Sequence, residues 1–160
     1  MLLCCAFTPQ VNAQSVAGSY LAGRHAAVHS DYREAARYYA DALARDSGNV
    51  ELMESTVLSF LSLGEIDKAA PLARMLEAKN QTSQVARMVV TADLAKKEDF
   101  KALLAQEPSS DGIGPWVDGL IKAWSYMGIG DVTSAMVAFD SLSKEAGMQG
   151  FVMYHKALAL

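Results

Sequence analysis

Cysteine is almost missing from this chain of 160 residues: Cys4 and Cys5 are the only two, both at the extreme amino terminus. A chain cleaved behind them holds none, which excludes disulfides, thiol catalysis and Cys-ligated zinc together. Histidine is scarce too, with three residues. There is no excess of basic charge: 14 Lys and Arg against 18 Asp and Glu give a formal charge of −4, the wrong sign for a nucleic-acid footprint. Alternating β-branched runs, the mark of half-buried strands, are missing, and no uninterrupted apolar run approaches the length of a membrane span. Gly and Pro contribute only 11 and 4 residues while 51% of the chain is hydrophobic, so a packed core is expected and global disorder is not. What is abundant is alanine, 26 residues, which favours helices that approach one another closely. The length allows one compact domain or a short run of repeats.

A repeat is present. Asp31-Tyr32-Arg33-Glu34-Ala35 is echoed by Glu65-Ile66-Asp67-Lys68-Ala69, by Asp99-Phe100-Lys101-Ala102-Leu103 and by Asp131-Val132-Thr133-Ser134-Ala135, at steps of 34, 34 and 32 residues. Each echo places an acidic residue at the positive end of a helix, a large apolar residue behind it, and in three of four cases an Ala where two helices can touch. Upstream of the echoes lie further helical stretches, Val16 to His29, Val50 to Leu63, Gln84 to Lys96 and Pro115 to Gly128. The connections Ser30-Asp31, Gly64-Glu65 and Gly128-Ile129-Gly130 are so short that the two helices of each unit must be antiparallel neighbours. Gly64 and Gly130 suit the left-handed residue that ends a helix, and Pro115 suits a first helical turn. The units are 16–49, 50–83, 84–112 and 115–147, with 148–160 supplying the first helix of an incomplete fifth. That last helix lacks a partner, so an array continuing past Leu160 is expected.

These residues resemble a tetratricopeptide repeat array. Gly23 followed by Asp31-Tyr32, Glu34-Ala35, Tyr38-Tyr39, Ala42-Leu43 and Asp46 lies close to that family's pattern, and Tyr126, Gly130-Asp131, Ala135, Phe139 and Leu142 return to it. The second unit departs from it with Val57 in place of a small residue, Ala73 in place of an aromatic, and Pro71, which is expected to bend its helix. The third is degenerate, with Leu103 in a small-residue position and a second helix expected to stop near Glu107. The resemblance implies an all-α fold, a right-handed α-α superhelix of helix-turn-helix repeats. It assigns repeat packing to Gly23, Tyr32, Ala35, Tyr39, Ala42, Ala69, Ala135 and Phe139. It also implies a concave groove lined by the first helices, with Tyr20 and Arg24, Glu54 and Leu58, Met88 and Ala92, and Leu120 and Trp124 facing the partner. Recognition of an acidic chain terminus would need basic and Asn side chains along that wall, and the matching positions offer Arg24 but otherwise Leu58, Ala92 and Trp124.

Chemistry finds little support. His25 and His29 sit four apart on one helix face, as zinc ligands would, but no H-E-x-x-H glutamate follows His25 and no third ligand is evident, so no metal is assigned. Gly112-Ile113-Gly114 and Gly128-Ile129-Gly130 lack the third glycine and the strand of a dinucleotide loop. Ser109 and Ser110 have no base nearby, and the acidic pairs Glu51 with Glu54 and Glu98 with Asp99 read as solvated helix ends. No catalytic residue and no cofactor is assigned.

The expected function is that of a non-catalytic scaffold binding a protein or peptide segment, without nucleic acid or a transmembrane segment. The alternatives are the amino-terminal adaptor of a longer protein carrying an enzyme or membrane module, and a carrier of a hydrophobic small molecule. Residues 1–13 read as a signal peptide, trimmed at its start: Leu2 to Phe7 is apolar and Val11-Asn12-Ala13 resembles a cleavage site, although no Lys or Arg precedes it. A periplasmic or secreted bacterial protein is therefore expected, with a cytoplasmic tail as the alternative. A lipid-modified Cys4 or Cys5 would need a small residue before it, which neither has.

Overall fold

A computed structural model describes residues 15–79, 83–106, 112–144 and 147–160. Among these residues the fold is all helical, without a strand: α1 (Val16–Val28), α2 (Tyr32–Arg45), α3 (Val50–Ser62), α4 (Ile66–Ala78), α5 (Gln84–Lys96), α6 (Phe100–Ala105), α7 (Pro115–Gly128), α8 (Val132–Leu142) and α9 (Gln149–Ala159). Each helix packs against the next in the chain, and α3 also touches α5, the arrangement of a helical repeat. The first helices of the four units fall within one residue of the stretches expected from periodicity, and the second helix of the third unit is a stub of six residues capped by Gln106. The proposed signal peptide, the Asn80–Thr82 part of one turn and Ser109 and Ser110 lie outside the described residues.

The turn inside each unit explains the repeat. Asp31, Glu65, Asp99 and Asp131 are the N-caps of α2, α4, α6 and α8, all with φ between −82° and −87° and ψ between 59° and 73°. The three aspartates accept a hydrogen bond from the backbone N–H three residues on, at 3.0 to 3.2 Å, which satisfies a donor the helix itself cannot. Glu65, one methylene longer, makes no such bond and instead pairs with Lys68 at 2.9 Å. Immediately before each cap stands a left-handed residue: Ser30 (φ 59°), Gly64 (71°), Glu98 (56°) and Gly130 (80°). In all four turns the cap N–H donates to the carbonyl five residues back at 2.9 Å: Asp31 to Ala26, Glu65 to Phe60, Asp99 to Leu94 and Asp131 to Tyr126. This double closure reverses the chain within two residues. Only two of the four left-handed positions carry the glycine that such a backbone favours.

Alanine provides the contacts. Ala35, Ala69 and Ala135, equivalent across units, are all wholly buried, and Leu103 takes the same place in the third unit. Around the first two lies a core from α1 to α5 with Tyr39, Ala42, Met53, Val57, Ala73, Leu76 and Val89. A second core joins α7, α8 and α9 through Ala123, Ala135, Phe139, Leu142 and Val152. The two are separated where α6 is short. There α5, α6 and α7 border a cavity of about 760 Å³, lined in part by Thr91, Leu103, Gln106, Asp118 and Ile121. Helix α4 runs unbroken through Pro71, which is exposed. The α9 helix buries Val152 but leaves Phe151, Met153, Tyr154 and Leu158 exposed.

Candidate functional site

The residues expected to line a groove lie on α1, α3, α5 and α7. On α1, Tyr20 is half-buried: its ring lies 6.1 Å from that of Tyr39, and its hydroxyl donates to Glu51 Oε1 of α3 at 2.6 Å. The Glu51 carboxylate raises the Tyr20 phenol above its ordinary value, because the bond favours the protonated hydroxyl. Arg24, one turn on, is exposed. On α3, Glu54 is half-buried and Leu58 is 48% exposed; on α5, Met88 is 39% exposed and Ala92 half-buried. Helices α3 and α5 are in direct contact, and α1 is joined to α3 by the Tyr20–Glu51 hydrogen bond.

The fourth unit is different. Leu120 and Trp124 are half-buried and pack against the second core. The Trp124 indole meets Phe139 edge-on at 5.8 Å, and its Nε1–H donates to His155 Nδ1 of α9 at 3.1 Å. His155 is thus the partner that satisfies the buried end of this tryptophan. Arg24, Leu58 and Met88 therefore present free surface, whereas Tyr20 and Trp124 are engaged with the protein itself. Of the residues assigned to repeat packing, Gly23, Ala35, Tyr39, Ala42, Ala69, Ala135 and Phe139 are buried and Tyr32 is half-buried.

Two polar clusters have no counterpart in the sequence reading. Asp93 of α5 is only 1% exposed; it forms an ion pair with Arg74 of α4 and another with Lys97 at 2.8 Å. Lys97 and then Arg74 hold its carboxyl below the usual range, outweighing the cost of burial. The signal was available: Asp93 follows Ala86, Val89 and Val90 on the buried stripe of α5, so a carboxylate there needs a cation from the neighbouring helix. The second cluster joins α1 and α2, where buried Ser19 donates to Asp41 at 2.6 Å and Arg45 pairs with the same carboxylate oxygen.

Among the described residues no group of three or more His, Cys, Asp or Glu side chains is placed to hold a metal ion, and no helix is long and apolar enough to cross a membrane. Comparison of the chain with protein-family models, with curated proteins and with solved structures finds no match.

Proposed function

We propose that the chain is a non-catalytic interaction scaffold of the tetratricopeptide type, its helix pairs piling into a right-handed superhelix that holds an apolar peptide or helical segment along α1, α3 and α5. The observation that carries this reading is the exposure of Leu58 and Met88 on two helices that touch. Completing the burial of two such side chains contributes about 1 kcal/mol or more each. With polar contacts from Arg24 and Glu54 at one end, micromolar affinity follows. Leu120 and Trp124 act in this scheme by fixing the fourth unit, which leaves the groove on the first three.

The test is photo-crosslinking from position 58 or 88 in an envelope extract, with competition by the Leu58→Ala/Met88→Ala double variant. Capture that depends on both side chains supports the groove; capture that ignores them ends the assignment. A second reading, a carrier of a hydrophobic small molecule, draws on the cavity between α5, α6 and α7. Quenching of tryptophan fluorescence by lipids but not by peptides would favour it. Export to the periplasm is part of the proposal and rests on residues 1–13; an intact mass beginning at Gln14 in the exported protein would establish it.

A further inference from the structure

His25 and His29 serve neither the repeat packing nor the groove. Both are exposed on the last turn of α1, with ring centroids 4.3 Å apart and planes inclined at 45°. His29 Nδ1 stands 2.8 Å from the His25 carbonyl oxygen. An oxygen acceptor requires the proton on Nδ1, so the lone pair of neutral His29 lies on Nε2. A ring anchored to a carbonyl through one nitrogen and open at the other is how ligating histidines are oriented.

The ring separation allows both imidazoles to reach one ion. An imidazole bound about 2.0 Å from an ion has its centroid about 3.2 Å away. Two such rings at a right angle then stand about 4.5 Å apart, and at the tetrahedral angle about 5.2 Å. The observed 4.3 Å is short enough for both rings to reach one ion, and among divalent first-row metals Cu(II) binds nitrogen donors most tightly. Position helps as well. His29 caps the C-terminal end of α1, the negative end of the helix dipole, which favours a bound cation.

We infer that His25 and His29 form a cis bis-imidazole chelate for Cu(II) at the exposed end of α1, its remaining positions open to water or to a donor from another molecule. The ion also clamps successive helical turns together, so binding stiffens the entry to the first repeat.

The test uses the full chain with the Cys4 and Cys5 thiols alkylated, titrated with Cu(II) in a non-coordinating buffer and followed by calorimetry and electron paramagnetic resonance. Two imidazole nitrogens on one ion are expected. His25→Ala and His29→Ala should each weaken binding at least about tenfold, while His155→Ala leaves it unchanged. Undiminished affinity in either α1 variant, an equal loss in the His155 variant, or a spectrum with a single imidazole overturns the inference. A measurement on the wild-type chain guards against misfolded variants: Cu(II) should protect His25 and His29 from carbethoxylation, read by peptide mass, and unprotected rings overturn it equally.

Discussion

Gly23 of α1 lies flat against the ring of Tyr39 on α2: a β-carbon there would stand 2.9 Å from Cδ1 and 3.0 Å from Cε1. The close approach of the two helices of the first unit depends on that missing methyl. Gly23→Ala should destabilise the chain by about 1–3 kcal/mol, because the buried aromatic cannot swing away without disturbing its neighbours. Urea unfolding would measure the loss, and a variant as stable as the parent would contradict the contact.

The same two positions in the second unit are exchanged in size. Val57 and Ala73 stand 34 residues after Gly23 and Tyr39, and both are wholly buried. In the fourth unit Ala123 and Phe139 restore the small-then-large order, again without exposure. Val57 and Ala73 belong to one core, so the two changes in size can offset one another there. Ala73→Phe alone should destabilise by about 1–3 kcal/mol through overpacking. Combined with Val57→Gly it should recover part of that, with a favourable coupling of about 1 kcal/mol in a double-mutant cycle. Strict additivity would show that the two positions do not share space.

Ser30 and Glu98 hold the left-handed backbone that Gly64 and Gly130 adopt without a side chain. Relieving each strained residue, as Ser30→Gly or Glu98→Gly, should raise stability by about 0.5–1 kcal/mol, and Gly64→Ala should lower it by about 1–2 kcal/mol. Thermal unfolding of the three variants tests the order.

The caps offer an internal control. Replacing Asp31 or Asp131 by Ala removes a helix-capping bond and should cost about 1 kcal/mol. Glu65→Ala removes none and should cost no more than its exposed pair with Lys68 contributes, about 0–1 kcal/mol. Losses of equal size at the three sites in denaturant unfolding would contradict the capping geometry.

Asp93 makes stability depend on pH. Its folded value is lowered by Lys97 and Arg74, so its contribution is full above the ordinary aspartate value of about 3.9 and fades as the pH falls through the lowered folded value. Asp93→Asn should destabilise at pH 7 by about 1–3 kcal/mol. The variant should also lose part of the acid sensitivity between pH 5 and the acid limit. Parallel stability curves for the two proteins over that range would refute the assignment.

Much of the fold was legible in the sequence because its causes are local. A cap is an aspartate bonding three residues ahead, a left-handed turn is recognisable from its glycine, and a face is a spacing of three and four; each is settled within one or two turns of chain. That is why α5 and α7 begin and end where their patterns do, and why the acidic echo marks four second helices. Two of the four left-handed residues, Ser30 and Glu98, escaped notice since neither is glycine; the turn around them imposes the conformation.

The candidate site was less legible, and the reason is distance along the chain. Periodicity puts Trp124 on an inner face, but what covers its indole is His155, 31 residues further on. Asp93 is an ordinary polar residue until Arg74 arrives from α4. The sequence by itself determined the helix pairs, their turns and their roughly 34-residue step, all products of short-range hydrogen bonding and spacing. Only the tertiary structure decided which faces are covered, how Val57 and Ala73 share a core, and where that core divides beside the short α6, because burial is set by the neighbouring helix and not by the helix that carries the side chain.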